Sequence, residues 1–406
     1  MHVCVVGAGI VGLSTAYALQ QAGYEVTVID RAARPAMGAS GGNGAQLSYA
    51  YVQPLADPGI WKQLPKLLLS KDSPLQFRLQ ADPQQWRWGM QFLGACNAAT
   101  SADTTRTLLT LAAHSRAALE AMLARESLQC DHHTPGKLVL YASQEGLDGA
   151  ARQVALQAQL RGPAQEVVDS ARIAQLEPSL SQYAPRMAGA IYTPSESAVD
   201  CRKLCEQLAQ LLESRGARIQ YACMLQKFQQ ESGKITALQT SQGLVHADHF
   251  VLASGWESAL HASTLGIRIP VYPLKGYSIT LEADTAPDTA PTISVTDTTR
   301  KVVFARIGSR LRVAGMVEIV GNDTRIHADR IASLQRSTRE VFPHFVQPQE
   351  VQPWTGMRPA TPTGIPITGR HPQGPHNLWL QTGHGALGLT LSFGSAQQLV
   401  QQMQAA

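Results

Sequence analysis

The first 31 residues restrict the fold more than any other part of the chain. "HVCVVGAGIVGLSTAYALQQAGYEVTVIDR" reads as strand, glycine turn, helix and strand. Residues 3–6 form a short apolar run, the pattern of a parallel strand buried on both faces. Leu13, Ala16, Tyr17 and Leu19 recur at helical spacing, and Gly23 closes that helix. The run "EVTVID" supplies the second strand and completes a right-handed crossover unit.

Inside this unit, Gly7, Gly9 and Gly12 make a G-x-G-x-x-G turn. Gly7 allows the tight turn, Gly9 lets a pyrophosphate approach the backbone, and Gly12 lets the helix pack on the strand. The helix start then offers unpaired N–H groups and a partial positive charge to phosphates. Asp30 ends the second strand 18 residues after Gly12, where a carboxylate accepts hydrogen bonds from ribose hydroxyls. An ordinary glycine-bearing turn with a solvated acid at the strand end is the competing reading. It does not explain why all four positions agree. A second glycine-rich stretch, "GASGGNGAQLS" at 38–48, is too glycine-dense for a helix or strand and favours a long cofactor held by several pieces of chain.

A chain of 406 residues exceeds the usual limit of one core, which predicts two domains. With 44% apolar and 16% charged residues it is globular in composition. Its net charge of +4 is too dilute for a nucleic-acid surface. No run approaches the roughly 18 apolar residues of a membrane span, and the opening strand leaves no room for a signal peptide. The six cysteines form no C-x-x-C pair, which fits a reduced, cytoplasmic location. Cys201 and Cys205 share one face of a predicted helix, but two ligands do not make a zinc site.

The pattern changes along the chain. Residues 56–130 carry Trp61, Trp86 and Trp88 and then long helical stretches; short strands such as "KLVLYAS" and "GAIYTP" follow. Alternating helix and strand returns near residue 196, with "CRKLCEQLAQLLESRG", "ARIQYA" and "HFVLASG". Residues 271–345 alternate as antiparallel strands do, in "VYPLKGYSIT", "RKVVFARIG" and "RLRVAGMVE", before a helix "RIASLQRSTREVF". The predicted organisation is a nucleotide domain assembled from residues 1–55, 195–270 and 355–406. A second domain takes residues 56–194 and 271–354.

Five segments occur in an order that resembles one family. They are the opening unit, "NGAQLSYAYVQPLADPG", "PVYPLKGYSIT", "GMRPATPTGIPITGRHP" and "LQTGHGALGLTLSFGSA". Together they resemble the FAD-dependent amine and amino-acid oxidoreductases of the D-amino-acid oxidase type, above all their bacterial D-amino-acid dehydrogenase branch. The resemblance implies an α/β protein: a Rossmann-like FAD-binding domain with an α+β substrate domain built on an antiparallel sheet. It further implies oxidative deamination of D-amino acids to 2-oxo acids and ammonia. Hydride passes from the substrate Cα to flavin N5, and electrons go on to a quinone-type acceptor.

The resemblance also assigns roles. Gly7, Gly9, Ile10, Val11 and Gly12 would hold the pyrophosphate, and Asp30 and Arg31 the adenosine ribose. Ser40, Asn43, Gly44, Ala45, Gln46 and Leu47 would follow the ribityl chain to the flavin ring. Leu225 would meet adenine, and Ser254, Gly255 and Trp256 stand where the family ends a strand with threonine in place of Ser254. Gly383, Gly385, Leu387, Gly388, Leu389 and Thr390 would turn a helix start toward the reduced flavin's negative charge. His384 among them reads as a cofactor contact, a base or covalent anchor on one view and a neutral loop-orienting residue on another.

Arg358, held between Gly356, Met357 and Pro359, is predicted on a stiff turn-like backbone, suited to bidentate capture of an α-carboxylate. Tyr277, with Tyr51 or Tyr49, would complete the substrate grip, although each also reads as core. Lys275 would approach the flavin or pair with an acid. Trp61, Leu64, Leu67, Leu68 and Leu69, interspersed with Lys62, Lys66 and Lys71, form a candidate membrane-surface patch on the inner face of the plasma membrane, or alternatively an active-site lid. Amine oxidases for glycine, sarcosine or cyclic imino acids share the same motifs and remain open alternatives. A non-catalytic FAD-binding subunit is the rival from another class.

Overall fold

A computed structural model describes residues 1–61, 75–159, 162–283, 289–346, 348 and 351–406. Its first sheet has six strands in the order Ile367–Gly369, Leu378–Thr382, His249–Leu252, His2–Val6, Glu25–Ile29 and Arg218–Gln220. All neighbours are parallel except the first pair. Four of its strands come from the N-terminal 252 residues and two from the C-terminal end, so the two glycine loops belong to one sheet. His2–Val6 sits inside it and is covered on both faces, with Val3, Cys4 and Val5 fully buried. That is why the opening run is apolar without alternation.

Helices Ile10–Gln21 and Cys201–Ser214 pack together on this sheet. The second is capped by Asp200, whose carboxylate accepts the amides of Arg202 and Lys203. Its buried stripe is Cys201, Leu204, Cys205, Leu208, Ala209 and Leu212, so both cysteines are apolar core positions. A three-stranded antiparallel sheet, residues 225–245, follows.

The second sheet has nine strands. Eight run in the order Gln352–Ala360, Tyr272–Glu282, Arg310–Ile319, Val302–Ile307, Ser294–Asp297, Lys137–Tyr141, Gly189–Thr193 and Glu166–Val168. It is mostly antiparallel, but Ser294–Asp297 runs parallel to Lys137–Tyr141, and Leu75–Phe77 parallel to Arg310–Ile319. Gln352–Ala360 crosses the boundary expected at residue 354 and pairs along its length with Tyr272–Glu282, while Ala360 also bridges to His384. The basic-apolar stretch at 62–71 lies outside the described residues. Trp61 at its edge donates its indole N–H to the Cys96 carbonyl. Among the described residues no helix is long and apolar enough to cross a membrane.

Helix Gly388–Gln404 is wedged between helices Ile10–Gln21 and Ala98–Arg125. At the crossing, a Cβ on Gly394 would lie 2.8 Å from both the Leu111 oxygen and the Ser115 nitrogen. Backbone atoms cannot give way as side chains do. Gly394→Val is therefore expected to lower stability by about 1–3 kcal/mol in urea melts. An unchanged midpoint would show that the crossing is looser than this geometry.

Candidate active site

Strands His2–Val6, Glu25–Ile29 and His249–Leu252 end at one cavity of about 1650 Å3. Ligands in parallel sheets bind beyond such carboxyl ends. The volume exceeds the ~300–1,000 Å3 of an ordinary small-molecule pocket. Gly7 lines it with φ +118°, and a Cβ there would stand 2.5 Å from the Ala253 oxygen. Gly12 lies behind the wall, where a Cβ would meet the Gly7 oxygen at 1.9 Å; its smallness serves helix–strand packing. Helix Ile10–Gln21 begins at Gly9, which has no side chain to cap it, and its first turn carries no acid. Across the turn, the Ser40 hydroxyl accepts the Ile10 amide at 3.0 Å. Ile10 and Val11 line the same wall.

Asp30 is fixed by two amides: Ala8 N donates to Oδ2 at 2.6 Å and Ala32 N to Oδ1 at 2.7 Å. Arg31 forms a 2.9 Å ion pair with Glu257 while lining the cavity. Leu225, Ser254, Gly255 and Trp256 share this end, together with Cys223 and Met224, which the sequence did not single out.

From here the glycine-rich segment crosses the face of the second sheet. The Ser278 hydroxyl donates to Gly42 O at 2.7 Å, and a Cβ on Gly42 would overlap the Trp354 indole at 2.2 Å. A Cβ on Gly44 would meet Val303 Cγ2 at 2.8 Å. Asn43 accepts the Ala45 amide, which holds Ala45 at φ +59°. The Gln46 amide donates to the carbonyls of Val295 and Phe304. Ser40, Asn43, Gly44, Ala45 and Gln46 line the cavity. Leu47 does not: it is fully buried core, paired with Ser197.

Beside the first glycine turn stands the start of the last helix, where a Cβ on Gly388 would lie 3.9 Å from Val11 Cγ2. Gly385, Leu387, Gly388, Leu389 and Thr390 line the cavity, and no side chain or first-turn acid caps helix Gly388–Gln404. Gly383, at φ +82°, stands behind the wall, where a Cβ would lie 2.7 Å from Thr361 Cγ2. His384 is buried, and burial lowers its imidazole to about 3, so it is neutral. Ser395 donates to Ser392 O and therefore accepts from His384 Nε2 at 2.8 Å. That leaves Nδ1 as a buried acceptor with no partner among the described residues. Two helix starts turned to the cavity, the tightly packed Gly7 turn and this orphaned nitrogen fit FAD spanning the cavity.

Arg358 lies on the edge strand Gln352–Ala360 and not on a turn, which corrects the sequence expectation. Edge strands tolerate proline, so Pro353 and Pro359 do not end it. The guanidinium occupies the space left by Gly276, where a Cβ would stand 2.3 Å from Nη2. Nη1 donates to Met316 O at 2.8 Å. Met316 has φ +64° opposite a register shift between Lys275 and Tyr277, which turns its carbonyl out of the ladder. Burial lowers Arg358 to about 10, and among the described residues no carboxylate pairs with it.

Tyr277 lines the cavity, but its hydroxyl donates to Glu318, itself paired with Arg330 at 2.7 Å. Tyr51 lines it with its ring 4.8 Å from Lys137 Nζ. Tyr49 is core, and Lys275 is buried away from the cavity, donating to Arg325 O and lying 3.8 Å from Asp323. Trp88, Phe92 and Leu274 form an apolar wall beside Arg358.

A family model described as FAD dependent oxidoreductase, DAO, matches residues 2–402. The chain is 42% identical to "D-amino acid dehydrogenase 2" of Ralstonia nicotianae, with 98% of this chain and 95% of the relative covered. It is 41% identical to the protein of the same name from Pseudomonas aeruginosa, covering 99% and 94%. Glycine oxidase from Geobacillus kaustophilus superposes with a TM-score of 0.77 over 99% of this chain and 94% of its own; at 21% identity the likeness is one of fold. Matched from residue 2 to residue 402 and 42% identical to a relative over nearly its whole length, this chain belongs to the DAO family of FAD-dependent oxidoreductases.

Proposed function

We propose that the chain oxidatively deaminates D-amino acids to 2-oxo acids and ammonia. One observation carries the reading: a half-buried guanidinium with no carboxylate partner among the described residues opens into the cavity that both glycine loops line. The names of the two relatives above 40% identity support the substrate class. In this reading the first sheet belongs to the FAD-binding domain and the nine-stranded sheet to the substrate domain.

FAD, when bound, supplies the two-electron acceptor for the hydride that leaves the substrate Cα. The chain's part is positioning. Arg358 binds the α-carboxylate, with Nη1 already committed to Met316 O so that the fork is held in one orientation. Tyr277 donates its proton to Glu318, leaving the phenol oxygen as an acceptor toward an N–H of the substrate amine, which reacts in its neutral form. The first turn of helix Gly388–Gln404 directs its positive end to the cavity, where it stabilises developing negative charge. Trp88, Phe92 and Leu274 keep water from the reacting carbon, and the imino acid formed takes up water after it leaves the site to give the 2-oxo acid and ammonia. The electrons then pass to a quinone-type acceptor, with residues 61–71 as the contact to the inner face of the plasma membrane.

Arg358→Lys keeps the charge but loses the planar fork. KM for D-alanine is expected to rise roughly 30- to 100-fold with flavin content unchanged. Wild-type kinetics in that variant would remove Arg358 from the site. Mixed anaerobically with the yellow protein, D-alanine or D-proline should bleach the flavin band while the L-forms leave it intact. Bleaching by glycine or sarcosine instead would transfer the reading to the amine oxidases. Oxygen uptake against quinone reduction then identifies the acceptor.

A further inference from the structure

Strand register fixes what stands next to Arg358. In the ladder between Gln352–Ala360 and Tyr272–Glu282, Ala360 faces Tyr272, Arg358 faces Leu274 and Gly356 faces Gly276. Alternate residues of a strand share a face, so these pairs follow one another on one side of the sheet at spacings of about 7 Å. Trp88, on helix Pro83–Ala95, sits over the first pair. Its indole N–H donates to Ala360 O at 2.8 Å, and its ring stacks on Phe92 at 5.2 Å and stands 5.9 Å from Tyr272. At the other end of the row, Ser278 and Trp354 form the next pair and hold Gly42. Arg358 thus lies between the glycine-rich segment on one side and the Trp88 wall on the other. From its guanidinium over Gly276, Leu274 is one spacing away and Trp88 two, roughly 14 Å in all. An amino acid of phenylalanine's length covers that span once a contact distance is added at each end.

The polar atoms at this end of the cavity are already committed. The Trp88 N–H is spent on Ala360 O, so the ring offers the cavity only carbon. The Thr361 hydroxyl donates to Ile365 O and accepts the Gly364 amide. Ala56 and Ile60 line the same end and belong with Trp88, Phe92 and Leu274 to one cluster of buried apolar residues. A polar side chain entering here gives up its water and finds no partner, whereas an apolar one gains by burial. The inference rests on the proposed amino-acid reaction and names its substrate class. We propose that Trp88, Phe92 and Leu274 are specificity-determining residues that receive the substrate side chain, so that the preferred substrates are D-amino acids with apolar side chains up to aromatic size. Arg358 takes the α-carboxylate, and the side chain runs along the face toward Trp88, away from the glycine-rich segment.

The test compares D-leucine with D-asparagine, which has nearly the same shape but a polar end. In the wild-type holoenzyme kcat/KM should favour D-leucine at least about 30-fold, mainly through KM. Phe92→Ala should lower the ratio of kcat/KM for D-phenylalanine to that for D-alanine roughly 5- to 30-fold, because D-alanine is too short to reach the Trp88–Phe92 pair. Titration of wild-type holoenzyme with 4-methylpentanoate and succinamate, read in the flavin spectrum, needs no variant and should show tighter binding of the apolar acid. Wild-type enzyme that handles D-asparagine as well as D-leucine, equal binding of the two acids, or an unchanged ratio in the variant overturns the pocket and leaves the deamination reading standing. If no D-amino acid bleaches the flavin, the deamination reading fails and this inference fails with it.

Discussion

The structure depends on a close approach between backbone and sheet along residues 42–46. Gly42 lies against the Trp354 indole and Gly44 against Val303, distances that a single Cβ would abolish. Gln46 continues the contact by donating to two carbonyls of the same sheet. This strap leaves the first sheet's ligand-binding edge and lies flat over the second. Arg312, buried and lowered to about 10 by that burial, anchors the strap from beneath by donating to Asn43 O.

How much of this is legible in the sequence follows from how local each determinant is. The opening strand, turn and helix are encoded within 31 consecutive residues, by an apolar run, three glycines at fixed spacing and a terminal acid. The structure reproduces that unit to within a residue or two. Arg358 stands out as a motif, but its backbone state does not: prolines on both sides suggest a turn, whereas a sheet edge accommodates them. Leu47, Gly383 and Gly12 sit one layer behind the cavity wall. A motif specifies a stretch of chain, and the alternation of exposed and buried positions within it is settled only by packing. Tyr49 and Tyr51 are two residues apart, yet one is core and the other lines the site.

Lys137 illustrates the opposite case. In "KLVLY" it reads as the polar start of a buried strand, and nothing nearby marks it. Its access to the cavity arises because residues 46–51 pass over that strand, and because Ser294–Asp297 is inserted beside it in parallel register. Both are contacts between segments far apart in the chain, beyond the reach of periodicity or spacing.

The carbonyl of Met316 has a consequence for which molecules the site turns away. Arg358 is held in place by a neutral oxygen and not by an acid, so its positive charge stays uncompensated until an anion arrives. A monoamine of the same shape, lacking the carboxylate, would seal that charge in an apolar chamber with nothing to balance it. In the proposed reading the cavity would reject decarboxylated amines by the solvation energy of its own arginine, a filter that works through an empty place in the charge pattern and needs no steric block.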